Sequence, residues 1–426
     1  MRNTLILVLG LVVSLAAIRA RADYVVSASP LRSDPRAGAA VVDRIDANKT
    51  VAVLGQSADF TKVRLGVGVE GWVPSKEVES RWIRVWKAER RLSLMDGETE
   101  VKSFRIALGA QHPVGDKVKQ GDGATPEGRF FLGELDPAPA PSRYGTRSMR
   151  LSYPGVPHAR RALQSGLIPR ATYESIVRAI AAGTIPPQNT PLGGSIRIHG
   201  GGSSRDWTLG CIALTDDEVI EVYNFARSGM RVQVFVKAAD EAAARGGLGK
   251  AILRGAKAQL ENPARYTTHA MQALPMPFPM GDIDRGEAVC TDIIVRSLRA
   301  AGLDLQALIY EDRLLHADRY RGKSAIKANI DHRRVTNLVP FFRRFASEGS
   351  LSGKAGLRPG DVVIFDTGIQ NGTPFDHIGI VDDMKDADGE WKAINIWTVG
   401  YRTQAMALIG KDYPKVVAWF RMGEGG

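Results

Sequence analysis

Only two cysteines, Cys211 and Cys290, occur in the 426 residues of this chain. That number excludes a disulfide framework, zinc fingers and iron–sulfur clusters as sources of stability, because each of these requires more thiols. The chain must therefore be held by apolar cores, and 44% hydrophobic with 24% charged residues is the composition of globular domains. Its length predicts about two to four such domains.

The first residues predict export. Arg2 precedes an apolar run over 5–18, and residues 20–22 (Ala-Arg-Ala) have the small-x-small pattern of a cleavage site. The run is shorter than the roughly 18–20 apolar residues that cross a bilayer. We therefore expect a signal peptide over 1–22, a periplasmic or cell-wall location and no stable membrane span after cleavage. The alternative is an uncleaved membrane anchor.

Export changes the meaning of the cysteines, since an even number outside the cytoplasm normally indicates disulfides. One interpretation is a single Cys211–Cys290 bridge, and the other is two separate reactive thiols.

The net charge is +11, and the three arginines of the leader account for part of it. The other basic residues lie in scattered pairs such as Arg90-Arg91 and Arg343-Arg344. Since nucleic-acid binding requires a clustered basic stripe, we expect no nucleic-acid partner. A mildly basic exported protein suits an anionic polymer or surface.

Residues 23–80 contain short β-rich runs separated by turn residues, at 24–26, 51–54, 62–65 and 71–73. This spacing predicts a small β-barrel. The segments "ASPLRSDP", "VLGQSADFTKVRL" and "GVEGWVP" resemble a bacterial SH3-like domain. The resemblance implies a module that binds cell-wall peptides.

Residues 81–236 open with alternating apolar positions, which predict half-buried antiparallel strands. A glycine-rich stretch over 109–128 lacks the Gly-Lys-Ser/Thr of a phosphate loop. Farther along, a helix is predicted over 172–182. Another is predicted after Thr215, which forms a capping-box pattern with Glu218, and we expect it to end at Gly229.

The segment "SIRIHGGGSSRDWTLGCIALT" brings a histidine and a cysteine together. A strand over 195–198 delivers His199, and the apolar run over 209–214 places Cys211 beside it. An imidazole near a thiol accepts its proton, and the thiolate is a nucleophile. Gly210 leaves room for backbone N–H groups to face an oxyanion. The alternative is a buried structural cysteine and a solvated histidine, and the residues alone do not decide between the two.

The residues "IHGGG" and "DWTLGCIALT", with "GDK", "GD" and "TPEGRF" upstream, resemble the YkuD-type L,D-transpeptidase domain, in particular its YafK-like branch. The resemblance covers 81–236. It implies a mostly-β L,D-transpeptidase sandwich, with Cys211 as acyl acceptor, His199 as its base and the Gly200 carbonyl orienting that base. The common family pattern is Ser/Thr-His-Gly-Cys, whereas Leu209 replaces the second histidine here. That departure leaves open whether an amine or water resolves the acyl-enzyme.

Residues 237–264 are rich in Ala, Gly and basic residues and predict a linker with a helical start to the next domain. Beyond it, Cys290 lies at the start of a predicted helix, where the helix dipole favours a thiolate. His377 begins a predicted strand, and Asn395 lies on the next one. A thiol on a helix facing a histidine on a sheet, with a polar residue beside the histidine, is the arrangement of catalytic residues in papain-like proteases.

The segments "RPGDVVIF" and "HIGIV" resemble the NlpC-type cell-wall cysteine peptidases. "CTDIIVRSLR", "NIDHRRVTNL" and "NIWTVG" resemble an uncharacterised family within that group, over 265–426. The resemblance implies a papain-like α+β domain with Cys290 as nucleophile, His377 as base and Asn395 as the residue that orients it.

The remaining polar residues carry less information. We interpret the stretch 329–337 as a solvated face rather than a site for a substrate carboxylate. We expect four histidines outside the motifs to lie on the surface, namely His112, His158, His269 and His316. No His, Cys, Asp and Glu grouping has zinc spacing, so neither a metal nor a cofactor is expected.

Together these patterns predict an exported multidomain enzyme that acts on peptidoglycan stem peptides. Cys211 is expected to form a thioester with a tetrapeptide stem and to transfer it to an amine, and the Cys290 domain to cleave an amide. One alternative is a hydrolase that releases wall-attached lipoproteins or trims stems. The other is a non-catalytic wall-binding protein.

Overall fold

The computed structural model of the protein describes residues 22–65, 69–138, 144–237, 247–320, 325–351 and 356–423. Apart from Ala22, the predicted signal peptide lies outside these residues. Within the described part of the chain, no helix is both long enough and apolar enough to span a bilayer.

Seven short strands form the N-terminal barrel. They are β1 (Ala22–Val25), β2 (Ser29–Arg32), β3 (Val41–Ile45), β4 (Thr50–Ser57), β5 (Phe60–Leu65), β6 (Val69–Pro74) and β7 (Val78–Glu79). They pair in the order β3-β2-β6-β5-β4-β1-β7, and a 3₁₀ turn (Ser75–Glu77) precedes β7. Every second residue of β5 is buried, as alternation requires. The predicted SH3-like barrel is confirmed.

The second domain is built on an eight-stranded sheet. Its strands are β8 (Arg81–Trp86), β9 (Arg91–Asp96), β10 (Thr99–Arg105), β11 (Gly128–Asp136), β12 (Ser148–Leu151), β13 (Arg197–His199), β14 (Ile212–Ala213) and β15 (Arg231–Phe235), in the order β10-β9-β8-β15-β11-β12-β13-β14. Helices α1 (Val156–Gln164) and α2 (Arg170–Ala182) lie between β12 and β13, and α3 (Asp216–Phe225) follows β14. The mostly-β fold is confirmed.

The predicted capping box is present at the start of α3, where the Thr215 side chain and the Glu218 N–H are hydrogen-bonded. The helix ends at Phe225, however, and not at Gly229. Ala226 already adopts extended backbone, with φ −76° and ψ 156°.

The third domain combines helices with a six-stranded antiparallel sheet. Its helices are α4 (Leu248–Glu261), α5 (Cys290–Ala300), α6 (Leu305–Leu315) and α7 (Val335–Phe345), with 3₁₀ turns at Ala317–Arg319 and Asp331–Arg333. The sheet order is β18-β23-β19-β20-β21-β22, from β18 (Ser347–Glu348), β19 (Val362–Asp366), β20 (His377–Lys385), β21 (Trp391–Asn395), β22 (Gln404–Met406) and β23 (Lys415–Arg421). A separate pair joins β16 (Arg265–Tyr266) to β17 (Glu287–Ala288).

Apolar residues of the helices pack on this sheet and place the start of α5 against it. Ile294 of α5 shares a core with Ile378 of β20 and Ile394 of β21. Ile252 of α4 belongs to the same core, so the helical end of the predicted linker packs with the third domain. A helix carrying a cysteine against an antiparallel sheet is the expected papain-like α+β arrangement.

The three domains contact one another through buried polar groups. Tyr24 of the barrel donates to the Arg81 carbonyl at 2.7 Å and accepts from the Arg231 N–H at 2.9 Å. Between the second and third domains, Glu311 accepts from Arg160 at 2.8 Å and from the Tyr173 hydroxyl at 2.6 Å. These contacts join the domains into one packed body.

The glycine-rich stretch of the second domain is fixed by a lysine with no exposed surface. Lys87 Nζ donates to the carbonyls of Gly115 and Thr125, both at 2.6 Å, and to the Glu127 carboxylate at 3.0 Å. The neighbouring Ala124 carbonyl faces the backbone of Gly210, beside Cys211. Lys87 therefore supports the floor of the predicted thiol site.

We predict that Lys87→Ala lowers the free energy of unfolding by about 2–4 kcal/mol, because it leaves two buried carbonyls without their donor. Urea unfolding followed by fluorescence measures the change. Lys102→Ala is the control in the same domain, since the Lys102 side chain is 51% exposed, and its effect stays below about 1 kcal/mol. Equal effects of the two substitutions contradict the proposed support.

Candidate active sites

Cys211 lies directly before β14, in a strained and crowded stretch of backbone. Its side chain is 9% exposed, and Sγ is 3.8 Å from the carbonyl oxygen of Ser195. Ser195 has a φ of +55°, which is unfavourable for a residue with a side chain. The side-chain amide oxygen of Gln188 holds it there by accepting its N–H at 2.7 Å. Such strain concentrates at functional sites.

Strand pairing brings the segments that carry Cys211 and His199 side by side. β13 and β14 pair in parallel, with Ile198 opposite Ile212 and His199 opposite Ala213. His199 ends β13, and Cys211 directly precedes β14. The pairing of this thiol with this imidazole as nucleophile and base stays a prediction.

His199 is almost fully buried and is oriented by its neighbour. Its Nδ1 is 2.7 Å from the Gly200 carbonyl oxygen, so Nδ1–H is the donor and Nε2 is left as the basic atom. The rings of Tyr144 and Trp207 pack edge-on against the imidazole at 5.1 and 5.6 Å. Burial lowers the pKa of His199 to about 4 against the opposing effect of the Gly200 carbonyl.

Gly210 is required by space as well as by backbone angle. Its φ is +125°, and a Cβ there would lie 2.6 Å from the Ala124 carbonyl oxygen. Its N–H donates to the Thr208 hydroxyl oxygen at 3.2 Å, and that hydroxyl donates to the Cys211 carbonyl at 2.7 Å. The role of this N–H toward an oxyanion stays a prediction.

In the third domain, Cys290 is the first residue of α5 and is 7% exposed. The stabilisation of a thiolate expected from the helix start is outweighed by burial in the free protein. Burial raises the pKa of Cys290 to about 12, and the charge of Asp292 adds to this effect. Hydrogen bonds from the backbone of Thr291 and Ile378 oppose the rise without cancelling it.

His377 and Asn395 meet across two neighbouring strands. The Asn395 side-chain oxygen is 3.1 Å from His377 Nε2, so the amide holds the tautomer that carries its proton there. Nδ1 is then the atom available to a thiol. The indole of Trp397 lies edge-on to the ring at 4.7 Å. Burial lowers the pKa of His377 to about 4, although the hydrogen bond to Asn395 acts in the opposite direction.

The sequence did not reveal the ion pair behind Cys290. Asp292 accepts from Arg333 at 2.8 and 2.9 Å, and both side chains are at most 2% exposed. The same carboxylate accepts the Val289 N–H at 2.7 Å and so caps α5. An Asp three residues after the N-cap is a sequence signal for capping of this helix. Its arginine partner is 41 residues away, so the ion pair itself has no local signal.

Two interpretations of polar residues were wrong. The stretch 329–337 is not a solvated face, because Asp331, His332 and Arg333 are all buried. Arg313 forms an ion pair with Asp331, which makes that burial possible. Among the four histidines expected on the surface, two are buried instead, namely His158 and His316.

The two cysteines do not form a disulfide, since both are free and each lies in its own domain. In the described ranges, no group of three or more His, Cys, Asp or Glu side chains is arranged to hold a metal ion. The two thiols therefore belong to two separate candidate sites.

Comparison with protein families agrees with this division. Residues 80–234 match the L,D-transpeptidase catalytic domain (YkuD). The chain contains an L,D-transpeptidase catalytic domain. Residues 27–79 match the bacterial SH3 domain, and 253–421 match a domain of unknown function, DUF1287. The L,D-transpeptidase domain supports the prediction of an enzyme that acts on peptidoglycan.

One curated relative is the uncharacterised protein YijF of Escherichia coli (strain K12). It is 34% identical over 143 residues, which are 33% of this chain and 66% of that protein.

Similar solved structures include Bd1075 of Bdellovibrio bacteriovorus, at 18% identity and a TM-score of 0.27, covering 43% of this chain and 60% of that one. The helical cell shape determining protein Pgp2 of Campylobacter jejuni is 15% identical, with a TM-score of 0.28, covering 74% of this chain and 91% of that one. These values are too low to carry an argument about the chemistry of this chain.

Burial of the two catalytic-site histidines predicts that acid destabilises the fold. Because the folded-state pKa values are about 4 and the unfolded value is 6.5, the unfolded chain binds protons first as the pH falls. Stability is complete above pH 6.5 and is lost toward pH 4, by about 3 kcal/mol for each histidine. His377→Gln is expected to remove the part of this acid-induced loss of stability that comes from His377.

The measurement is the difference in unfolding free energy between pH 7 and pH 4.5, for wild type and His377→Gln. His269→Gln is the control, since His269 is exposed. The prediction is wrong if His377→Gln loses as much stability as wild type over this range, which is the behaviour expected of His269→Gln.

Proposed function

We propose that this protein is an exported enzyme that modifies peptidoglycan through two separate cysteine sites. The observation that carries the proposal is the parallel pairing of β13, which ends at His199, with β14, which directly follows Cys211, within the segment that matches the L,D-transpeptidase catalytic domain. The bacterial SH3 domain supports a cell-wall location, and we infer that residues 1–22 are removed on export.

At the first site, the Cys211 sulfur attacks the amide carbon that follows the L-centre of meso-diaminopimelate in a tetrapeptide stem. His199 Nε2 takes the thiol proton as the C–S bond forms. The tetrahedral intermediate then expels D-alanine, whose amine receives that proton, and a thioester remains. The Gly200 carbonyl keeps Nδ1 protonated, so that Nε2 performs both transfers.

We propose that an amine from a second stem resolves this thioester, which gives a cross-link. Hydrolysis is the second candidate, because Leu209 occupies the position of the common second histidine. Its side chain is 79% exposed and offers no proton acceptor for an incoming amine. A hydrolase of this kind would trim stems or release wall-attached lipoproteins.

At the second site, we propose amide hydrolysis by Cys290, with His377 as base and Asn395 as the positioning residue. The thiol and imidazole are both neutral at pH 7, given their pKa values near 12 and 4. The proton therefore moves from Sγ to Nδ1 during the attack and then to the departing amine. Water resolves the thioester with His377 again accepting a proton.

The first prediction here is that Cys211→Ala abolishes L,D-linked products. Purified protein incubated with isolated tetrapeptide sacculi is analysed for muropeptides by chromatography and mass spectrometry. An added acceptor amine distinguishes transfer from hydrolysis, since only transfer incorporates it.

Cys290→Ala, which leaves the first site intact, serves as the matched control for this assay. Identical products from wild type and Cys211→Ala contradict the assignment. Labelling of wild type by a carbapenem, with loss of the label in Cys211→Ala, excludes the non-catalytic wall-binding alternative.

The second prediction concerns the C-terminal site in a Cys211→Ala background. Cys290→Ser is expected to lower hydrolysis of wall peptides at least 1,000-fold, and Asn395→Ala about 10–100-fold, because the imidazole loses its fixed tautomer. Asn395→Asp retains a side-chain acceptor for Nε2–H and restores part of the rate. Hydrolysis that persists at the wild-type rate in Cys290→Ser rules out this role.

A further inference from the structure

The third domain contains a polar cavity between two segments that lead to the proposed hydrolytic site. Its volume is about 230 Å³. We call it the Arg334 cavity, and it is lined by Arg313, Asp331, Arg334, Thr336, Asn337, Asn371 and Thr373. Its walls come from the 329–337 stretch on one side and from the loop before β20 on the other.

The walls of the Arg334 cavity belong to segments that are joined to the proposed catalytic residues. The Thr291 hydroxyl, next to Cys290, donates to the Arg333 carbonyl at 3.0 Å. Arg334 is the next residue along the chain. On the opposite wall, Thr373 lies four residues before His377 in the sequence. The two walls are thus continuous with the segments that carry the thiol and the imidazole.

Charge in the cavity is only partly balanced. Asp331 is paired with Arg313 and accepts the Lys327 N–H at 2.7 Å. Arg333 is not available to a ligand, because Asp292 and backbone carbonyls occupy its donors. Arg334 is exposed and has no acidic partner among the residues that the structure describes. The lining therefore carries one uncompensated positive charge.

Neutral donors surround that charge. The Thr373 hydroxyl accepts the Phe375 N–H at 3.2 Å, which leaves its O–H to donate. The Asn371 side-chain oxygen accepts the Thr373 N–H at 3.1 Å, which leaves its NH₂ group to donate. Thr336 adds a second hydroxyl to the lining. One arginine with hydroxyl and amide donors matches a carboxylate, which is a monoanion with four acceptor positions.

We propose that the Arg334 cavity binds a free carboxylate of the peptide that Cys290 cleaves. The inference rests on the proposed hydrolysis and makes it more specific, since it names peptides with a carboxylate beside the scissile amide as substrates. The cavity volume of about 230 Å³ equals that of roughly eight waters at about 30 Å³ each. That space admits one acidic residue and not a whole stem. Arg334 is thus the residue that determines specificity.

The test measures occupancy at Cys290 without needing turnover. Full-length protein carrying Cys211→Ala is treated with iodoacetamide, and alkylation of Cys290 is followed by mass spectrometry. The competitors are two stem-peptide analogues with an N-methylated scissile amide. They differ only in a free carboxylate or a carboxamide on the residue beside that amide.

We expect the carboxylate analogue to protect Cys290 at a concentration at least tenfold lower than the carboxamide. Arg334→Gln removes this preference and leaves protection by the carboxamide unchanged, whereas Arg334→Lys retains part of it. Arg285→Gln, at an exposed arginine in a different groove of the same domain, changes neither value. Equal protection by the two analogues, no protection by either, or equal weakening of both by Arg334→Gln overturns the proposal.

Cleavage of the unmodified peptide by the same protein is measured separately. Selective protection without cleavage retains the carboxylate site and refutes hydrolysis. Cleavage with no preference for the carboxylate retains hydrolysis and refutes the cavity. The two ideas therefore fail on different observations.

Discussion

The buried ion pair between Asp292 and Arg333 is the constraint on which the third domain depends. The guanidinium also donates to the Ala270 carbonyl at 2.5 Å, so one side chain joins α5 to two loops distant in sequence. Removing either partner leaves a buried charge, which typically costs about 3–5 kcal/mol. The position of Cys290 and the wall of the Arg334 cavity both follow from this contact.

Burial, with the Asp292 carboxylate adding to its effect, raises the pKa of the C-terminal thiol and keeps it neutral. A helix start favours a thiolate by itself, but the Asp292 carboxylate caps α5 and lies close to Cys290, while burial removes the solvent. Because the thiolate is the species that exchanges with disulfides, a neutral buried thiol is protected in an oxidising compartment. In the proposed hydrolysis, activation then depends on a substrate that brings its carbonyl to Sγ and Nδ1.

The sequence predicted structure that depends on neighbouring residues, but it did not predict ion pairs between residues that are distant in the chain. The capping box of Thr215 and Glu218 and the strand alternation act over a few residues, and both predicted the observed structure. The stretch 329–337 was misjudged because its charges are compensated by Asp292 and Arg313, at separations of 41 and 18 residues. Polar composition indicates exposure only when such partners are absent, and one sequence does not show pairing.

The two candidate sites orient their histidines in opposite ways. His199 donates a hydrogen bond from Nδ1–H to the adjacent Gly200 carbonyl oxygen, so the backbone at the end of a strand sets its tautomer. His377 donates a hydrogen bond from Nε2–H to the side-chain oxygen of Asn395. Asn395 is 18 residues away in the sequence and lies on the neighbouring strand. Nε2 is thus the unprotonated ring nitrogen of His199, and Nδ1 is that of His377. A side-chain substitution can remove the second orienting group but not the first, so the C-terminal site is the one whose chemistry depends on a single replaceable amide.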